Sequence, residues 1–409
     1  MKISKLFIIA LILVVGIVCY VVLTRLPAGE EVVLWAGLEH DEIKALEEIG
    51  KSFEDETGIR VKIVWESDIK RLRSKYRVAV PIGKGPDVLL GPHDWIGEFT
   101  RSGFITPIPE NIFTSEIRAG FLDQALDAVT FEGKVWGIPT LLEAIVLIYN
   151  KDTFPQPPET WENLIMLAKP MTGPVWGFYY AHVDPYYSFP LQSGYGGYVF
   201  GEGENVENIG LATPGAVEGA RFLQSMVIPR ENGILPMDPM LDPYVVRDFF
   251  VAGKAKMIID GPWAFGRFKK AGIDFGAARL PKLPNGQDPC TFVGVQTCMV
   301  NSRSDNIDAA MRFAMYLNSA ESQLRLHQAG WRIPTLKNVL AQPEISEKPE
   351  VTVVLEQAGG GVLMPKAPEM EVVWTPWVNA LKQIISGQDP QTMLETAVSE
   401  IRNEIERMK

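Results

Sequence analysis

Three short stretches of this chain set a flat ring close to a carboxylate: Trp35 near Glu39, Asp94-Trp95, and Asp184-Pro185-Tyr186-Tyr187. Glu143, Trp263 and Trp374 add one more acid and two more indoles. Aromatic plates beside acidic acceptors suit a polyhydroxylated ring, which has an apolar C–H face and a rim of hydroxyl donors. The same acids could instead supply a hydrolytic pair, which needs two carboxyls about 5–5.5 Å or about 6.5–9.5 Å apart across one bond. Acids scattered this widely along the chain suit hydroxyl acceptance better. Each residue also has a plainer role open to it. Asp94 could cap a helix, Tyr186 and Tyr187 could be core aromatics, and Trp35 reads as core packing. Trp263 follows Gly-Pro and reads as an exposed turn position, while Trp374 and Trp377 are hard to tell apart.

Other chemistries find little support. The four histidines (His40, His93, His182, His327) show no paired spacing and the cysteines are few, so no metal site is expected. Gly194 to Glu202 is glycine-rich but lacks the Lys-Ser/Thr of a phosphate loop, and reads as a surface turn. No Gly-x-Ser-x-Gly elbow is present. No cofactor is implied.

The elements that must position these residues follow from hydrophobic spacing. Residues 31–36 form a short apolar strand, Ile43, Leu46, Ile49 and Phe53 recur at helical spacing until Gly58, and residues 61–65 form a second strand. Strand, helix, strand makes a βαβ unit with a parallel sheet. Residues 87–90 give a further buried strand that opens into Gly91-Pro92-His93-Asp94. Ligands in open α/β sheets gather at carboxyl ends of strands, which makes the 93–95 loop a candidate site. A second α/β region runs to about residue 290, with strand-like sequence at 256–259. Residues 292–300 cross back, 309–317 are helical, and residues 343–349 mark another crossing. Leu394, Ala397, Val398, Ile401 and Ile405 predict a terminal amphipathic helix.

At 409 residues, two domains are the default. A net charge of −11 argues against nucleic acid as a partner. Residues 6–23 are an unbroken apolar run behind Lys2 and Lys5, at the border between a signal-peptide core and a spanning helix of roughly 17–25 residues. The expectation is an uncleaved anchor or a late-cleaved signal, with the remainder exported. Cys19 reads as an apolar residue within that run; lipidation is the alternative. Eight extended steps at about 3.3 Å separate Cys290 from Cys298, too far for a disulfide, so free buried thiols are expected.

The string LIYNKDTFPQPPETW (147–161) behind Glu143 resembles the hinge region of the maltose/maltodextrin-binding proteins that serve ABC sugar importers. The resemblance continues at Trp35, Gly85-Pro86-Asp87, His93-Asp94, Asp184-Pro185-Tyr186, Gly261-Pro262-Trp263, and Met364-Pro365 with Trp374. It covers the chain after residue 30. It implies an α/β, two-lobed periplasmic-binding-protein fold (type II), with a ligand cleft between lobes joined by three crossings. Residues 1–29 would be the signal or anchor, 30–141 with 297–343 one lobe, and 142–296 with 344–409 the other, hinged near Glu143, Cys298 and Glu344. It further implies a monomeric, non-catalytic extracytoplasmic receptor that delivers a maltodextrin or related oligosaccharide to importer permease subunits. The same fold could bind another sugar or polyol, or act as a sensor. Ligand-binding positions carried over are Glu39, Asp94, Glu143, Asp184, Tyr186, Trp263, Met364 and Trp374; Trp95 is added as a shifted stacking surface. Departures are Gly91 for an aromatic, Trp95 for an arginine, His40 for a more basic residue, Thr375 for a tyrosine and Val378 for an arginine. Loss of polar donors favours a longer oligosaccharide over a disaccharide.

Overall fold

The computed structural model describes residues 30–238 and 240–409, so the apolar run 6–23 and Cys19 lie outside the described residues. Among the described residues no helix is long and apolar enough to cross a membrane. Two short ribbons aside, the strands are β1 (Glu31–Ala36), β2 (Arg60–Trp65), β3 (Val88–Pro92), β4 (Ile105–Thr106), β5 (Ile138–Ala144), β6 (Val146–Asn150), β7 (Met257–Asp260), β8 (Phe275–Ala278), β9 (Phe292–Asn301), β10 (Ile333–Pro334) and β11 (Val362–Leu363).

A large mixed sheet takes the order β10-β5-β9-β3-β1-β2, with β4 and β11 also pairing with β9. As the βαβ reading requires, β1 lies parallel to both β2 and β3. Strand β9 is buried at every position and runs antiparallel to β3 and β5, which makes it the spine of the sheet. It is continuous across residues 296 and 297. A single residue, Ile145, separates β5 from β6, and there the chain leaves the large sheet. Strand β6 is the centre of a second sheet, β7-β6-β8, antiparallel on both sides.

Helices cover these sheets. Helix α1 (His40–Thr57) buries Ile43, Leu46, Ile49 and Phe53 and ends on Gly58. It is followed by α2 (Ile69–Ala79), α3 (Trp161–Ala168), α4 (Pro185–Ser193), α5 (Pro214–Ser225), α6 (Pro243–Val251), α7 (Ile307–Leu317), α8 (Ala320–Gly330), α9 (Trp374–Ile385) and α10 (Pro390–Met408). Thr160 caps α3 through its hydroxyl, as its place before the helix predicts. Helix α10 buries Leu394, Ala397, Val398, Ile401 and Ile405 against α9 and α5. Gly194 to Glu202 is more than a surface turn, because Gly197, Val199 and Phe200 are buried where this segment packs beside α4 and α5. Cys290 and Cys298 are free thiols; Cys298 is buried and Cys290 only half-buried.

Candidate functional site

The expected residues converge on the seam between the two sheets. Glu143, on β5, is buried with its carboxylate against Arg332, and Gln296 Nε2 donates to both its oxygens at 3.3 and 3.2 Å. Arg332 is 3% exposed and also binds the buried Glu42. Removing such charges from water is costly, so the guanidinium and its two carboxylates stand as one unit. Glu42 binds back to the Glu39 backbone N–H at 2.8 Å, which fixes the loop before α1. The Glu39 side chain reaches the other way, accepting from Arg247 Nη1 at 3.3 Å. Arg247 in turn forks onto Asp260 at 2.7 and 3.3 Å, with the Tyr187 hydroxyl on the same acid at 3.2 Å.

Trp263 stands between these two arginines, with each guanidinium 6.0 Å from its ring. Gly261 makes room for it, since a Cβ there would fall 2.3 Å from the indole. Tyr186 lies 6.2 Å from Trp263 and 6.1 Å from Phe292, and its hydroxyl faces Gly294 together with the Glu143 carboxylate. Trp374 is half-buried at the start of α9, 6.3 Å from Phe292. Trp377 is fully buried with its Nε1–H on Gln192, which settles which of the two indoles belongs to the core. Trp35 is half-buried under Lys75 at 5.4 Å, part packing and part surface.

The 93–95 loop forms a 3-10 turn at the end of β3. His93 is fully buried, accepting from Val295 N–H at Nδ1 and donating from Nε2 to the Met364 carbonyl, both at 3.1 Å. That pairing assigns the neutral tautomer, and burial pushes the imidazole down to about 3. Met364 is itself buried, its carbonyl accepting from His93 and its N–H donating to the Val293 carbonyl at 3.1 Å. Asp94 is buried and caps no helix. Burial pushes its carboxyl up to about 6, with Arg73 pulling the other way. Asp184, expected mainly as a hydroxyl acceptor, caps α4 by accepting from the Tyr186 N–H at 2.9 Å. Trp95 is only 4% exposed, with Phe99 at 5.9 Å and Arg73 at 5.8 Å. It covers Gly91, where a Cβ would meet the indole at 2.6 Å, and so fills space in place of presenting a free stacking face.

Three buried polar atoms in this region lack a protein partner: Asp94 Oδ1, Gln296 Oε1 and Trp263 Nε1. Two accept and one donates, the complement of hydroxyl groups that do both. Sequence reasoning missed Gln296, Arg247, Asp260, Glu42 and Arg332. A signal existed for the arginines. Each sits in an apolar run, Val245-Val246-Arg247 before Phe249-Phe250 and Trp331-Arg332-Ile333, where a charge must find a partner.

Two sheets joined through Ile145, with charged and aromatic side chains meeting at their seam, define a two-lobed binding protein of the periplasmic-binding-protein fold. Residues 48–353 match the family described as bacterial extracellular solute-binding protein, and the chain belongs to that family. It is 30% identical over 387 residues to the galactooligosaccharide-binding protein of Bacillus subtilis, covering 92% of this chain and 90% of that one. A maltooligosaccharide ABC transporter solute-binding lipoprotein of Streptococcus pneumoniae is 29% identical over 373 residues, 88% of this chain and 86% of its own. Among solved structures, the Thermus thermophilus maltotriose binding protein bound with maltotriose superposes with a TM-score of 0.85 at 32% identity, covering 91% of this chain and all of that one.

Proposed function

We propose that this chain captures an oligosaccharide of the maltodextrin or a related series outside the cytoplasm and delivers it to the permease subunits of an ABC importer. The observation that carries the reading is the set of unpartnered buried atoms, Asp94 Oδ1, Gln296 Oε1 and Trp263 Nε1, around the Tyr186 and Trp263 rings. Sugar hydroxyls would satisfy the atoms while the rings and Trp374 take the C–H faces. In this reading each lobe would be built around one sheet, with crossings at Ile145, between β8 and β9, and beyond β10. Residues 6–23 would tether or export the chain. Its acids serve recognition, with Glu143 held by Arg332 and Asp184 by its cap, so the ligand is released intact.

Titration calorimetry over the maltose-to-maltohexaose and matching galactooligosaccharide series is the test, with chromatography of the recovered sugar. Binding in one series with no shortened product is expected, and Trp263→Ala should weaken it about tenfold or more, the scale of one lost ring contact. Silence with every oligosaccharide overturns the reading. Shortened products would make the chain a hydrolase.

A further inference from the structure

Glu39 and Asp94 follow the carboxyl ends of β1 and β3, and the opposite edge of the large sheet carries a feature of another kind. Helix α2 returns to that edge and runs into a turn of 3-10 helix at Val80–Ile82. Leu72, Tyr76 and Val80 take its buried face at helical spacing, which leaves Val78 on the outer one. Val78 is 70% exposed and Ile82 68% exposed, with Pro81 exposed between them. This apolar tip is held firmly. Lys84 N–H donates to the Ala79 carbonyl at 2.9 Å, and Arg303 Nη1 donates to the Pro81 carbonyl at 3.0 Å.

The apolar run 6–23 joins the fold at this same edge. Glu31 opens β1, and its carbonyl accepts from Asn306 Nδ2 at 3.2 Å, on the loop that carries Arg303. Leu23, the last residue of the run, is seven residue steps from Glu30, a reach of about 25 Å when fully extended. A chain tethered through that run therefore keeps this edge within that distance of the bilayer. Charge does little here. Glu30 pairs with Arg312 at 3.6 Å and Glu31 with Arg60 at 3.0 Å, while the exposed Lys84 and Arg303 share the edge with Asp305 and Asp308. Contact then rests on apolar side chains entering the headgroup boundary. Side chains of this size hold a free protein weakly, but a short tether makes the contact intramolecular, at an effective concentration in the millimolar range.

We propose that this edge, through Val78, Pro81 and Ile82, is a membrane-contact surface that seats the tethered chain on the lipid bilayer. The bilayer and the ligand site then lie at opposite ends of the large sheet, and the seated chain keeps its site clear of the lipid. The inference rests on the tethering by residues 6–23 proposed above and does not depend on the identity of the ligand.

Photo-crosslinking of the full chain in phosphatidylcholine–phosphatidylglycerol vesicles reads this directly. A benzoylphenylalanine replaces Lys84 or, as a control, the exposed Lys169 just beyond α3, and lipid adducts are counted by mass spectrometry. The probe at position 84 should give about tenfold more adduct than the control, and Val78→Asp with Ile82→Asp should remove that excess, the scale of two lost apolar insertions. A flexible linker of about 20 Gly/Ser residues inserted after residue 29 separates contact from mere proximity, and the excess should persist in that chain. No excess, an excess that survives the double aspartate variant, or one that vanishes with the longer linker overturns the contact and leaves the tether standing. Failure of the full chain to float with vesicles overturns tether and contact together. Sugar binding is read separately by calorimetry and is untouched by either result.

Discussion

Asp94, a proposed ligand contact, is held in place at a cost to stability. Its carboxyl is buried near Glu98 and Glu143, with Arg73 the nearby cation, and burial pushes it up to about 6. An unfolded aspartate titrates near ~3.9. Between about pH 4 and pH 6 the folded chain therefore holds a proton that the unfolded chain has released, and this group's contribution to stability falls as pH rises through that window. The buried histidines act in the opposite sense. His93 is pushed down to about 3, and His182 and His327 to about 4, by burial, so each favours the folded state as pH rises towards its ordinary value. The sum conceals Asp94, but a difference exposes it. Denaturant unfolding of Asp94→Asn and of the unmodified protein at closely spaced pH values should give curves that nearly coincide at pH 4. The variant should then gain steadily to a plateau above pH 6; a constant offset would mean that Asp94 does not titrate there. That Asp94 is a candidate position could be read from its place after a buried strand. The burial of its Oδ1 without a partner could not, because burial is set by tertiary packing that no local pattern encodes.

Elements were legible in proportion to their periodicity. Helix α1 follows from Ile43, Leu46, Ile49 and Phe53, α10 from the spacing of Leu394 to Ile405, and α3 from Thr160 ahead of an apolar run. Strand β10 is two residues long and carries no pattern, and the antiparallel direction of the small sheet depends on pairings between segments about a hundred residues apart. What holds α1 to the large sheet was equally hidden. Arg332, just before β10, binds Glu42 of α1 on one side and Glu143 of β5 on the other, all three buried. Replacing a buried ion network by apolar groups can be neutral, but deleting only its cation leaves two carboxylates facing each other without compensation. Arg332→Met should therefore cost about 3–5 kcal/mol in urea unfolding, the range for breaking a buried pair. Adding Glu42→Gln should return part of it. A loss under about 1 kcal/mol would show that water reaches the network and screens it.

At the scale of the whole molecule, contacts across the seam join residues roughly two hundred positions apart, and no local pattern in the chain encodes them. Arg247 reaches Glu39 at 3.3 Å, Lys270 reaches Asp41 at 2.7 and 2.6 Å, and Tyr244 reaches the Ser67 carbonyl at 3.1 Å. All three gather at the N-terminal end of α1 and the loop after β2, so they act on one edge of the cleft. Their weights differ. Lys270 and Asp41 are well exposed, and a pair of that kind contributes about 0–1 kcal/mol. Arg247 is buried and already oriented by Asp260, so Glu39 meets a guanidinium that needs no further ordering and little further desolvation. Glu39 should thus dominate the balance between closed and open lobes. Small-angle scattering of the ligand-free protein should show a larger radius of gyration for Glu39→Gln than for the unmodified chain, while Lys270→Ala stays close to it. A ligand that touches both lobes favours the closed form and should bring all three proteins back together at saturation. If Glu39→Gln leaves the ligand-free radius unchanged, the Arg247 contact follows closure and does not drive it, and the bias must then come from the ligand alone.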